Sequence, residues 1–309
     1  MTNQIIIPNH LISHSEVEAF GQCEQKHYYA HTEQLEPVTS SRALATGNAG
    51  HFTLETFLQA LINGADNEEA SKHALQEISD HDDFDFDIIM KARELTKPWM
   101  EQIWPKLGWK VLAVEKEFRL TIEEGLIYPF KVDAIIERRG EMMIVDHKFV
   151  ADPYNDTTIR LMPQMPRYIG AMRMMDLPVT GGIYNFVRTR QLKNPMAPMA
   201  DAGRYGQVDN IPTKARIRHS LLEQIQEMRK IDSLEKMPAN ERPIPVRTVN
   251  KMNCDHCGFA ELCAMDLEGR DTTFMKKVGF RPNTYGYKDL PTGDDVKSIS
   301  LVDTKAITE

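Results

Sequence analysis

The shortages in this chain are its first information. No run of about 18 apolar residues occurs among the 309, so no membrane-spanning helix is expected and no membrane partner. The opening MTNQIIIPNHLISHSE has neither the basic start nor the long apolar core of a signal peptide, which makes the cytoplasm the expected location. Basic residues are outnumbered. Thirty-seven Lys and Arg against 45 Asp and Glu give a net charge of −8, which argues against non-specific nucleic-acid binding by the whole surface but allows a local basic cleft. The pattern G-x-x-x-x-G-K-[ST] is missing, so the chain carries no P-loop of its own. Internal repeats and low-complexity blocks are missing too.

What remains is an ordinary globular composition, 41% hydrophobic and 27% charged, long enough for one large domain or two modest ones. The four cysteines are the first feature with chemical content. Cys254, Cys257 and Cys263 form a C-x2-C-x5-C run in NCDHCGFAELC, and Cys23 lies far upstream in FGQCEQKHYYAH. Two thiolates three residues apart can wrap one metal centre from a tight turn such as Gly258 invites. Zinc, with His256 as a substitute ligand, and an iron-sulfur cluster both suit the set; disulfides are rare in a cytosolic chain of this size.

The order of elements is readable. Two overlapping S-x-x-E boxes, Ser13 to Glu16 and Ser15 to Glu18, open a helix that carries Cys23. A second helix covers GNAGHFTLETFLQALING and ends at Asn63 and Gly64, with His51 and Glu55 on one face. Residues 67 to 107 are helical, interrupted near Pro98 and Pro105. Three strand-like runs follow, WKVLAVEKEFRLTI, LIYPFKVDAIIER and EMMIVDHKFV, separated by short turn signals as in a meander. A helix around RLMPQMPRYIGAMRMM, a strand in GGIYNFVRT, a polar connection and the helix TKARIRHSLLEQIQEMRKIDSLEKM complete the reading.

The third strand interrupts its apolar run with Asp146, His147 and Lys148. At a period of two, Asp146 and Lys148 share a face and His147 takes the other. Burying either charge alone costs several kcal/mol, about what pairing, a metal or a cleft must offset. A strand-end ion pair is the plain reading, and only context can displace it.

That context resembles the PD-(D/E)XK nuclease superfamily, and more closely the RecB-like exonucleases of the CRISPR-associated and bacteriophage iron-sulfur branch. The resemblance rests on GNAGHFTLE, which supplies His51; KVDAII, which supplies Asp133; IVDHK, which supplies Asp146 and Lys148; QMPRY, which supplies Gln164 and Tyr168; and the cysteine set. Where the family often has a glycine shortly before the second-strand acid, this chain has Pro129, Phe130, Lys131 and Val132.

The resemblance implies an α/β, restriction-endonuclease-like core of helix, three-strand meander, helix and strand, with a helical insertion and an iron-sulfur-bearing portion built from both termini. It implies Mg2+ or Mn2+ held by His51, Asp133, Asp146 and the backbone carbonyl of His147. Lys148, Gln164 and Tyr168 would act on water and phosphate, and Cys23, Cys254, Cys257 and Cys263 would hold a 4Fe-4S cluster. Glu55 reads as a brace for His51. The domains expected are residues 1–40, 41–190 with the insertion at about 65–107, 191–290, and a loose tail at 291–309. The activity expected is exonucleolytic hydrolysis of DNA from free ends, in recombination, repair, phage DNA metabolism or CRISPR adaptation, in a prokaryotic cell or phage-infected host. Partners expected are DNA, a second copy of the chain, and recombination or adaptation proteins. The rival reading is an iron-sulfur DNA-end-binding or adaptation-complex subunit whose nuclease site is auxiliary or silent. The Arg and Lys of IRLMPQMPRYIGAMRMM, FVRTRQLK and TKARIRHS are a solvated face or a track for the DNA backbone.

Overall fold

The computed structural model describes residues 10–39, 41–190 and 203–283, together with the backbone of a short strand at Val296–Ser298. The remainder of the expected tail lies outside the described residues. The chain divides into two compact units: Met1–Ser40, Phe118–Phe130 and Leu221–Glu309 form the first, and Ser41–Glu117 with Lys131–Ser220 the second.

The second unit begins with helix α1, Arg42–Ile62, capped by Ser41, whose hydroxyl accepts from Leu44 N, and ended by Asn63 before Gly64 at φ 95°. Helix α2, Asn67–Ser79, opens on a full capping box of Asp66 and Glu69. Helix α3, Phe86–Pro98, ends at a proline that cannot donate. The chain there widens into a π-turn, Trp99–Ile103, instead of breaking, and so delivers Trp99 and Trp104 to the core.

Strands β1 (Lys110–Glu123), β2 (Leu126–Arg138) and β3 (Glu141–Val150) follow, the last two joined through Arg139 and Gly140, both at positive φ. Helix α4, Gln164–Met174, leads to β4, Val179–Arg188, which pairs parallel with β3; β5, Tyr205–Asn210, then pairs antiparallel with β4. The order is β5-β4-β3-β2-β1. Leu54, Phe57, Trp99 and Trp104 pack against Ala134, Ile136, Met143, Val145 and Ile183, so one face of the sheet is dry. The opposite face of β3 carries Asp146 and Lys148.

Strand β5 answers to no sequence expectation: YGQVDN is short and mostly polar, and it pairs with the edge of β4.

In the first unit, His10–Leu11 pairs parallel with Leu126–Ile127, and helix His14–Gln22 starts under Ser13, which accepts from Glu16 N. That helix does not carry Cys23, contrary to expectation. Cys23 is extended, at φ −167° and ψ 113°, and stands between it and a separate turn, Glu24–His27. The break has partners: Gln25 N donates to Val246 O, and Val246 N donates to Glu24 Oε2. Further along, the helices Lys251–Cys254, Ala260–Leu267 and Thr273–Gly279 surround a small core of Tyr29, Phe259 and Leu262, with Phe280 stacked on Phe259.

Candidate active site

The β2–β3 ladder runs from Arg138↔Glu141 to Ala134↔Val145. Beyond it the Asp133 carboxylate stands in for the partner strand, and its Oδ2 accepts from the backbone N–H of His147 at 2.7 Å. The carboxylate is thereby fixed in the gap where the strands part. His51, on α1, brings Nδ1 to 3.3 Å from the same oxygen. Glu115, on β1, is the third member: one ligand atom from each of His51, Glu115 and Asp133 lies within 4.8 Å of the others. Glu115 sits at φ 47°, a left-handed kink for a non-glycine residue, and it also pairs with Lys131. No sequence pattern pointed to it, because the kink breaks the alternation by which a strand's inward side chains are read.

Burial pushes the Asp133 carboxyl up to about 6; the His51 ring opposes this, and the charges of Asp146 and Glu115 add to it. Four carboxylates, counting Glu55, thus influence one another here, with Lys131 paired to Glu115 and Lys148 to Asp146. Glu55 is itself raised by burial and then by Glu115. Such a site is short of positive charge, and its imidazole-plus-carboxylate donors fit a divalent cation such as Mn2+ or Mg2+.

Asp146 holds Lys148 on the same strand face, with Nζ 2.8 Å from Oδ2 and 3.1 Å from Oδ1. Burial alone would lower the lysine, yet the charge of Asp146 outweighs it and keeps the ammonium above its ordinary range. A second acceptor comes from α4. Gln164 is its first residue, and Oε1 accepts from Lys148 Nζ at 2.8 Å. Tyr168 stands one turn on along the same face, half-buried.

His147 points away, into the dry side. Its Nδ1 accepts from Asn185 Nδ2 at 2.8 Å, while Asn185 Oδ1 accepts from Trp99 Nε1 and Gln207 Nε2. Burial, and then the His51 ring, pulls its pKa down to about 3, so the imidazole is neutral and serves packing.

The cysteines form a separate site in the first unit. Cys23, Cys254, Cys257 and Cys263 line one cavity of about 110 Å³, with Lys26, Tyr29 and Arg247 also in its wall. Cys257 N closes a turn on Cys254 O. Gly258 lets that turn press on Pro37, where a Cβ would meet the ring at 2.7 Å. Arg247 donates to Cys263 Sγ at 3.4 Å and to Asp266, which also accepts from Tyr29. His256 is exposed and does not line the cavity.

Several arginines expected on a solvated or DNA-tracking face are occupied within the fold. Arg167 is buried on Ser220 O, Arg173 donates to Val179 O and Thr180 O, Arg188 and Arg190 pair with Asp152, and Arg216 donates to Leu161 O.

Residues 11–264 match the model of the PD-(D/E)XK nuclease superfamily. The chain belongs to that superfamily. As PD-(D/E)XK nucleases use divalent metals such as Mg2+ or Mn2+ and act on DNA, a metal-dependent nuclease is implied here, and the mixed sheet is consistent with the fold. No curated protein matches the chain. Among solved structures, that of SSO0001 is 12% identical over 85% of this chain and 88% of that one, with a TM-score of 0.35; assignment to the PD-(D/E)XK superfamily therefore rests on the sequence match. No described helix is long and apolar enough to cross a membrane.

Proposed function

We propose that this PD-(D/E)XK protein is a DNA exonuclease, acting from free ends, that carries a 4Fe-4S cluster. The observation that carries the catalytic reading is the meeting of His51, Glu115 and Asp133 beside the linked Asp146, Lys148 and Gln164. His51, Asp133 and Glu115 are the nearest donors for the cation, with Asp146 close by. The His147 carbonyl joins them, because the N–H and C=O of one strand residue face the same side and its N–H already faces Asp133. The bound cation supplies Lewis acidity at a phosphate oxygen and a more acidic water.

The remaining chemistry falls to side chains. A lysine ammonium has three protons. On Lys148 one is held by Asp146 and one by Gln164, leaving the third for a phosphate oxygen or the attacking water. Asp146 keeps that ammonium charged while fixing its direction. Tyr168, on the face of Gln164, suits the scissile phosphate or its neighbouring nucleotide.

The cluster reading is supported by the four thiols around one cavity. Four sulfur ligands fit iron-sulfur, and Arg247 would donate to a cluster thiolate. Action on ends rests on the resemblance to RecB-like exonucleases, as does a place in recombination, repair, phage DNA metabolism or adaptation.

End-labelled linear DNA, single- and double-stranded, should shorten with Mg2+ or Mn2+ while circular single strands and closed duplex circles persist. Rapid internal cutting of circles would convert the reading to an endonuclease, and intact linear DNA under every metal condition would favour the end-binding subunit.

A further inference from the structure

The first unit holds a second group of nitrogen and oxygen donors that the nuclease reading does not use. His10, in the short strand before the first helix, places Nε2 2.9 Å from Glu235 Oε2 and Nδ1 3.0 Å from Asp232 Oδ1. Asp232 and Glu235 lie in the last turn of the helix Lys214–Glu235. Glu16, from the helix His14–Gln22, completes the group, and one ligand atom each from His10, Glu16 and Glu235 lies within 4.8 Å of the other two. Glu16 is 8% exposed.

Three carboxylates gather there around the imidazoles of His10, His27 and His31. Of the three carboxylates, Asp232 is also paired with Lys236 at 2.7 Å. The other two face histidines: His10 meets Glu235, and His27 and His31 meet Glu16 at 3.2 and 3.7 Å. Between His10 Nε2 and Glu235 the cation is either a proton or a metal. A proton can join the nitrogen to one carboxylate; a divalent ion can bind the nitrogen and both carboxylates of Glu235 and Glu16. The surrounding contacts are those a metal site needs. Asp232 takes the far nitrogen of the His10 ring, so that the neutral ring would offer Nε2 as the lone pair, and His27 orients Glu16. Glu235 and His27 also line a small cavity with Phe20, Ile231 and Arg242.

We propose that His10, Glu16 and Glu235 form a binding site for a divalent transition metal of the zinc class, with Asp232 and His27 as positioning residues. One imidazole and two carboxylates leave a fourth, water-filled position, as a tetrahedral ion accepts. Its consequence is structural: it ties the first strand to the end of the long helix. The site is independent of the nuclease centre and of the cysteines.

The test uses the full chain, purified without oxygen and freed of loose divalent metal, in a His51→Ala background that weakens the nuclease centre. Zn2+ titration followed by calorimetry should find a site that His10→Ala abolishes and Asp232→Asn weakens about 10- to 100-fold. Co2+ should give a visible d–d spectrum lost with His10→Ala. Zn2+ should raise the Tm of the His51→Ala protein and not of the double variant. Glu235→Gln, on the last turn of the helix, repeats the measurement should His10→Ala unfold. If Zn2+ affinity, Co2+ spectrum and Tm shift are indifferent to both substitutions, the group is a protonated His10 between two carboxylates and the proposal is wrong.

Discussion

Lys148 is the residue on which the proposed chemistry turns, and its neighbours decide how it can be tested. Removing Asp133 should cost both metal and activity, so Asp133→Ala is expected to lose divalent-cation binding by calorimetry along with cleavage. Lys148→Ala should lose cleavage and keep most of the metal affinity; full activity in this variant would end the assignment. Gln164→Ala is subtler. It frees the ammonium to wander while leaving Asp146 in place, so kcat should fall about 10- to 100-fold, in the range of a positioning error, with metal affinity unchanged. Lys148 was legible in the sequence because a strand's period of two sets it beside Asp146, whereas Asp133 and Gln164 were reached only through the resemblance to the nuclease superfamily. Glu115 was not legible, since its left-handed backbone lies outside any period. Glu115→Gln should weaken metal binding and leave the fold's Tm nearly unchanged, its carboxylate being paired with the partly exposed Lys131.

At the scale of elements, the site depends on how closely α1 approaches β3. A Cβ on Gly50 would fall 2.3 Å from the Phe149 ring, so the helix bearing His51 meets the strand bearing Asp146 across a glycine. Gly50→Ala should destabilise by about 1–3 kcal/mol, the usual cost of overpacking. Adding Phe149→Leu should recover part of it in urea unfolding; no loss in the single variant would mean that the ring moves freely. The same strand is braced from behind by Asn185, fully buried, whose amide serves His147, Trp99 and Gln207 at once. Asn185→Ala leaves several buried polar groups unpaired and should cost about 3 kcal/mol or more. Hydrophobic periodicity made the long helices and β1 to β4 readable. It could not reveal Asn185 as a hub, because a buried asparagine in GGIYNFVRT looks like any polar interruption, nor the kink at Cys23, which depends on Val246, a contact more than two hundred residues away.

For the whole molecule, the first unit is unusual in being gathered from three separated stretches of chain. Its described buried apolar residues come from all three stretches, among them Val17 and Tyr29, Leu120 and Tyr128, and Met228, Ile231 and Leu262, so a metal staple would add to apolar burial rather than replace it. A cluster joining Cys23 to Cys254, Cys257 and Cys263 would close a loop of more than two hundred residues. By analogy with a disulfide, that closure contributes about 5 kcal/mol, an upper figure because denatured chains are already partly compact. A typical domain has about 5–15 kcal/mol in all. Protein purified without oxygen should therefore be brown and hold about four irons per chain. Cys23→Ala should lose the colour, melt earlier and expose residues 1–40 and 221–309 to protease before the second unit is cut. Colourless wild-type protein with stoichiometric zinc would change the metal and keep the staple. A Cys23→Ala protein with unchanged metal, Tm and protease resistance would show that the extended residue between two helical turns holds nothing, and the first unit would have to owe its stability to its apolar core and ion pairs alone.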